Sequence, residues 1–292
     1  MKVNTIIIGT QKSGTTSLYY YLKQHPDIYF SEVKEITYFD NDKFYEKGIN
    51  YFHSFFPNFK NQKIIATADV HLLPSATAPG RVFKYNPNIK IIVLLREPVD
   101  RAYSAFNYAK KNGWENSEIS FLKSLEKEEE IRNNKGLIRK NDLLYFWNGL
   151  YHHHLTNWFK YFPKDSFFIF KDEELRNNGY IKIKELFQFL GISENQEINT
   201  SKEYNKAGNV KSKFIQKYIL SKGSPSKKFI GSILPSKIKV FIRSKVFKKL
   251  IELNKIDKEN EPLQAQDRVK ARQYFRDDLL KLKEELSITF ND

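Results

Sequence analysis

The stretch Thr5-Ile6-Ile7-Ile8-Gly9-Thr10-Gln11-Lys12-Ser13-Gly14-Thr15-Thr16-Ser17-Leu18 decides the fold. A short apolar run ends on a glycine, a polar loop follows, and a helical pattern opens at Thr15. A strand, loop and helix in that order supply what an anion needs. Main-chain N–H groups converge at the turn, the positive end of the helix faces the same point, and glycine lets the backbone approach closely. The pattern for a nucleoside triphosphate is a Gly, four residues, then Gly-Lys-Ser/Thr. Here Gly9, four residues and Gly14 keep that register, but Thr15-Thr16 follow, and the lysine stands in the loop as Lys12. From the crown of the loop Lys12 can reach the bridging oxygen of a shorter donor. A sulfonate carries one negative charge where a terminal phosphate carries about two, so it has less need of Mg²⁺.

Outward from this stretch, apolar runs of strand length recur at Lys63 to Ala68, Lys90 to Leu95 and Phe167 to Phe170. They are continuous rather than alternating, which suits strands covered on both faces of a parallel sheet. Helical patterns fall between and after them, at Thr15 to Gln24, Pro98 to Lys111, Asp142 to Tyr161, Ile181 to Leu190 and Leu263 to Leu286. The pattern predicts an α/β chain, a single P-loop-type domain over residues 1–292, its central parallel sheet flanked by helices on both faces. A basic insertion at about 221–258, rich in Gly and Pro near its start, is the least regular part.

The second informative run is Lys90-Ile91-Ile92-Val93-Leu94-Leu95-Arg96-Glu97-Pro98-Val99-Asp100-Arg101-Ala102-Tyr103-Ser104. It ends a buried strand on Arg96 and starts a helix near Pro98, a residue suited to a first helical turn. Arg96 then lies at the ligand edge of the sheet, where a guanidinium can grip a phosphate with two hydrogen bonds. Ser104 adds a hydroxyl about two turns along the helix.

Taken with its strand, Gln11-Lys12-Ser13-Gly14-Thr15-Thr16-Ser17-Leu18 resembles the 5′-phosphosulfate loop of sulfotransferases that use 3′-phosphoadenosine 5′-phosphosulfate (PAPS). The resemblance implies that Lys12 stabilises the leaving phosphate while Gln11, Ser13, Gly14, Thr15, Thr16 and Ser17 hold the 5′-phosphate. The run ending on Arg96 and Ser104 resembles the 3′-phosphate motif of the same enzymes. Val33-Lys34-Glu35-Ile36-Thr37-Tyr38-Phe39-Asp40 is similar to the segment that, in sulfotransferases acting on sugars, carries a glutamate base. This implies Glu35 as the base, with Tyr38 and Phe39 around it and Thr37 and Asp40 as acceptor contacts. A rival base is His71, in Asp69-Val70-His71-Leu72, at a place resembling the histidine of sulfotransferases of phenols and alcohols; with it the acceptor would be a small hydrophobic alcohol. Lys206 and Gly208 fall where the family closes a glycine loop over the nucleotide. The implied reaction is transfer of sulfonate from PAPS to a hydroxyl or amine, on a carbohydrate or glycolipid, with no metal. The competing class is a P-loop nucleotide kinase, with Asp69 on Mg²⁺.

Composition narrows the field further. The chain has no Cys, which excludes a disulfide framework, a thiolate zinc site and a cysteine nucleophile. Three histidines in a row, His152, His153 and His154, diverge by about 100° each on a helix and cannot share one ion. The formal charge is +15, and residues 211–255 hold thirteen Lys or Arg against one acid, Glu252. The charge therefore asks a question of one region and gives no general case for nucleic acid. Residues 236–254 carry Ile238, Ile242, Val246, Leu250 and Leu253 on one helical face among lysines, a pattern suited to peripheral contact with an anionic membrane. No apolar run approaches the roughly 18 residues of a membrane span, and no signal peptide is evident, so the expected location is the cytoplasm, including the inner face of the membrane.

Overall fold

Strand β1 (Thr5–Gly9) is wholly buried and lies at the centre of a five-stranded parallel sheet. The computed structural model describes residues 1–133, 140–201, 204, 209–210, 255–256 and 261–290. The chain divides into two compact units. The first comprises Met1–Ala102, Phe146–Asn205 and Arg268–Asp292, and the second Tyr103–Tyr145 and Lys206–Asp267.

The first unit holds the whole sheet, in the order β2-β3-β1-β4-β5, with β2 at Ile28–Phe30, β3 at Ile64–Ala68, β4 at Lys90–Leu95 and β5 at Phe167–Lys171. Thr5 sits opposite Ala66 on one side and Lys90 on the other, and every pairing is parallel. The side chains of one strand alternate between two cores. Ile6 and Ile8, with Ile91, Val93 and Leu95, face Phe52, Val82, Leu155, Trp158 and Leu282. Ile7, with Ile92 and Leu94, faces Leu18, Leu22, Leu186 and Phe187. Burial on both sides is why these strands read as unbroken apolar runs. The covering helices are α1 (Thr15–Leu22), the short α2 (Asp42–Tyr45) and α3 (Ile49–His53), α4 (Ala78–Tyr85), α5 (Pro98–Lys111), which runs into the second unit, α8 (Tyr151–Phe159), α9 (Asp172–Asn177), α10 (Gly179–Leu190) and α11 (Ala265–Leu286). The α/β class and the parallel sheet expected from the sequence are therefore present.

In the second unit, α6 (Phe121–Glu126) and α7 (Glu128–Asn133) accompany the later turns of α5, with the ring of Phe106 in contact with those of Phe121 and Tyr145. A two-residue antiparallel pair, β6 (Asn209–Val210) with β7 (Lys255–Ile256), completes its described part.

One strand goes unread in the sequence, and one expected helix needs correction. Strand β2, three residues long, gave no run to read. The helix expected over Asp142 to Tyr161 is instead a 3-10 turn at Lys140–Leu143, a second at Trp147–Gly149, and then α8. The break has a packing cause. A Cβ at Gly149 would lie 2.6 Å from Cε1 of Phe275, so α11 occupies the space a side chain would need. Asp278 of α11 then accepts from the N–H groups of His152 (3.0 Å) and His153 (2.9 Å), ending the run with a new helix start.

Candidate active site

The loop between β1 and α1 is built around its own polar groups. Thr10 N–H donates to the Leu94 carbonyl at 2.7 Å, and its hydroxyl donates to the same oxygen at 3.0 Å while also meeting the Ser13 hydroxyl. These bonds tie the loop to the end of β4. Lys12 has a φ of 69° and Gly14 a φ of 88°, both left-handed. Glycine holds that conformation without cost, whereas for lysine it is uncommon outside constrained sites. Gly14 is exposed and caps α1 with no side-chain hydrogen bond, and the first turn carries no acid. The first turn of α1, with its main-chain N–H groups and positive helix end, thus lies behind an exposed glycine with no acid beside it, a fit for a phosphate.

Arg96 leaves the end of β4 beside this loop, and its Nη1 donates to the Lys12 carbonyl at 3.2 Å. On the other side its Nε lies 3.7 Å from Oδ2 of Asp172, which also pairs with Arg176 at 3.0 Å. Burial pushes the Asp172 carboxyl up, and Arg176 and Arg96 oppose it. The Arg96 carbonyl accepts from Tyr151 Oη at 2.7 Å, so α8 supports the strand end as well. Burial raises the pKa of that phenol, and the wholly buried Arg101 nearby opposes the rise. The Lys12 loop and the run that ends on Arg96 are thus joined by this hydrogen bond as well as by those from Thr10 to Leu94.

A second group of side chains gathers at the end of β3. Glu35 N–H donates to the Ala68 carbonyl at 2.8 Å, and Thr37 N–H donates to Asp69 Oδ2 at 2.8 Å. Asp69 Oδ1 accepts from the His71 N–H at 3.1 Å. Asp69 is 3% exposed, and burial pushes its pKa up to about 7; the carboxyls of Asp40 and Glu35 push the same way, and His71 opposes them. Asp40 is raised too, by burial against the opposing charges of His71 and Arg81, and its Oδ1 is buried with no hydrogen-bond partner among the described residues. Glu35, 39% exposed at its side chain, pairs with Lys34 Nζ at 2.8 Å. The expectation that Tyr38 and Phe39 enclose Glu35 is not met. Both are buried in the aromatic core against Phe52, at ring distances of 5.1 and 5.0 Å, where their large apolar area is better covered.

Ser17, expected at the 5′-phosphate, also makes a contact far along the chain. Its hydroxyl accepts from Tyr204 N–H at 3.0 Å and lies 3.5 Å from the Tyr204 carbonyl, while Tyr204 stacks on Tyr20 at 4.3 Å. Lys206, Gly208 and the basic residues 211–254 lie outside the described residues. Ser104 belongs to the second unit, half-buried on α5. His152 pairs with Glu285 at 2.9 Å and His154 Nε2 meets the Trp147 carbonyl at 2.7 Å, which are separate structural tasks. Among the described residues no group of three or more His, Cys, Asp or Glu is arranged to hold a metal ion. Sequence reasoning missed Thr10, Tyr151 and Asp172. Only Asp172 left a trace, as an acid directly after an apolar strand.

A parallel sheet with a glycine loop after its central strand, and an arginine at the end of the adjoining strand, defines the phosphate-loop class of α/β proteins, whose ligands sit at the carboxyl edge. Within that class the chain belongs to the sulfotransferase family, since the family described as "Sulfotransferase domain" matches residues 2–250. It is similar to membrane-associated sulfotransferase kil1 of Dictyostelium discoideum, 36% identical over 135 residues that cover 44% of this chain and 28% of that protein. It is also similar to heparan sulfate glucosamine 3-O-sulfotransferase 5 of Mus musculus, 30% identical over 187 residues, covering 64% and 53%. Among solved structures, the sulfotransferase from Alicyclobacillus acidocaldarius superposes with a TM-score of 0.62 at 28% identity, covering 70% of this chain and 87% of that one. The chain spans about half or less of the length of these curated relatives. Among the described residues no helix is long and apolar enough to cross a membrane.

Proposed function

We propose that residues 1–292 form one catalytic domain that moves the sulfonate of PAPS to a hydroxyl or amine of a carbohydrate or glycolipid. The observation that carries the reading is the hydrogen bond from Arg96 to the Lys12 carbonyl, which supports it by joining two runs distant in sequence at one sheet edge. PAPS supplies an activated sulfonate on a phosphate leaving group. Lys12 and the first turn of α1 bind and neutralise the 5′ side, and Arg96 with Ser104 holds the 3′-phosphate. Glu35 takes the acceptor proton, and Thr37 and Asp40 orient the acceptor. Lys206 and Gly208 close over the nucleotide. Fixed charge and orientation of this kind supply most of the rate in such transfers.

The carbohydrate reading draws on the Lys34-Glu35 segment and on the name of the Mus musculus relative. His71, beside Asp69 and Asp40, is the alternative base, and it goes with a hydrophobic alcohol as acceptor. Loss of transfer in Glu35→Gln with retention in His71→Ala supports the first assignment; the reverse pattern selects the second. A cytoplasmic chain that touches an anionic bilayer through residues 236–254 completes the proposal.

Calorimetry tests the donor side. The product nucleotide, 3′-phosphoadenosine 5′-phosphate, is expected to bind at least tenfold more tightly than ATP, a difference of about 1.4 kcal/mol. Equal affinity, or a preference for ATP with Mg²⁺, would return the chain to the kinase reading.

A further inference from the structure

The segment that carries Glu35 is held in a conformation that side chains avoid. Glu35 has a φ of 64° and Thr37 a φ of 55°, and together with Lys12 they account for three of the five non-glycine residues with positive φ among the described residues. For a β-branched threonine this is an outlier, costing on the order of 1–3 kcal/mol unless the surroundings over-determine it. Two hydrogen bonds do so here. Ala68, the last residue of β3, accepts from Glu35 N–H, and Asp69, the next residue, accepts from Thr37 N–H at 2.8 Å. The second oxygen of Asp69 is occupied by His71 N–H at 3.1 Å, which fixes the plane of the carboxyl. Asp69 is 3% exposed, so it does not meet substrate directly.

We infer that Asp69 is a positioning residue for the acceptor side: its carboxyl, planted at the end of β3, holds the strained backbone at Thr37 and so aims the Glu35 side chain. The kinase alternative gave Asp69 to Mg²⁺. Both of its oxygens are spent on main-chain N–H groups, one from the Glu35 segment and one from the chain that leads to His71. The carboxyl therefore ties both candidate bases to one strand end. The groups that face it are Asp40, Glu35 and His71, with Arg81 acting on Asp40 and Lys34 on Glu35. A burial cost of this size is hard to account for by packing alone, because a neutral side chain would fill the same space without it.

The inference rests on the proposed sulfotransfer reaction with Glu35 as base, and the test keeps the two separable. Asp69→Asn, Glu35→Gln and the double variant are compared with wild type in three measurements. These are PAPS-dependent transfer to a desulfated heparan-type chain, calorimetric binding of 3′-phosphoadenosine 5′-phosphate, and amide hydrogen exchange. Asp69→Asn is expected to lower kcat about 10²-fold while leaving KM for PAPS and nucleotide affinity unchanged, because a base displaced by about 1 Å loses rate without losing donor. In the Glu35→Gln background it is expected to cost nothing further, the mark of a residue that acts through another. Exchange at the amides of Glu35 to Thr37 is expected to rise about tenfold with the Phe52 core unchanged. Unchanged exchange at those amides, losses that multiply in the double variant, or equal loosening of the core would each overturn the inference. Should wild type transfer nothing to that chain, the acceptor reading fails, and the exchange comparison still decides the role of Asp69.

Discussion

Lys12 stands at the crown of the loop in a left-handed conformation, its carbonyl held by Arg96, so its ammonium is carried on a backbone with little freedom. Lys12→Ala is expected to cut turnover by about 10² or more while the thermal midpoint stays near that of wild type, as for loss of a fixed charge stabiliser. Turnover within a few-fold of wild type would remove Lys12 from the mechanism. Asp69 allows a different measurement. Its pKa is raised from 3.8 to about 7 in the fold, so folding takes up about one proton in the interval between. The stability linked to that proton is fully present below about pH 4 and is lost as the pH rises through about 7. Asp69→Asn cannot take the proton up. Wild type is therefore expected to lose stability relative to the variant between about pH 4 and about pH 7, followed by thermal melts. A difference that stays constant over that range would contradict the burial argument. Lys12 and Arg96 are legible in the sequence because each sits in a motif that is local along the chain. The task of Asp69 is not legible, because it depends on a contact with Thr37, 32 residues earlier.

At the level of elements, β1, β3, β4 and β5 announce themselves as apolar runs, since burial on both faces removes the need for alternation. Strand β2 gives no such signal because three residues at an edge suffice for its pairing with β3. The break before α8 is also invisible locally. It is imposed by Phe275, far along the chain, pressing on Gly149, and by Asp278 supplying the cap. Gly149→Ala must move a buried aromatic ring, and the expected loss is about 1–3 kcal/mol in denaturant unfolding with little change in nucleotide affinity. An unchanged midpoint would mean that α11 yields at that point more easily than its packing suggests.

Over the whole molecule, the sequence order of the motifs and the spatial order of the strands agree. Loops from β1, β3 and β4 all open at the carboxyl edge of one sheet, where ligands of such folds bind. The charge does not follow that plan, for its excess is concentrated in residues 211–255, outside the runs that carry Lys12, Glu35 and Arg96. Partitioning onto anionic vesicles is expected to fall when Lys248 and Lys249 are both replaced by Glu, and to fall for wild type as salt rises. Equal partitioning of the two proteins would leave that segment without a membrane role. The bond between Ser17 and the backbone of Tyr204 spans 187 residues. During synthesis the glycine loop leaves the ribosome early, yet the hydroxyl at its back must wait for most of the chain to follow before it finds its partner. Chains cut short ahead of Tyr204 would carry every residue of the first motif with one of its supports missing.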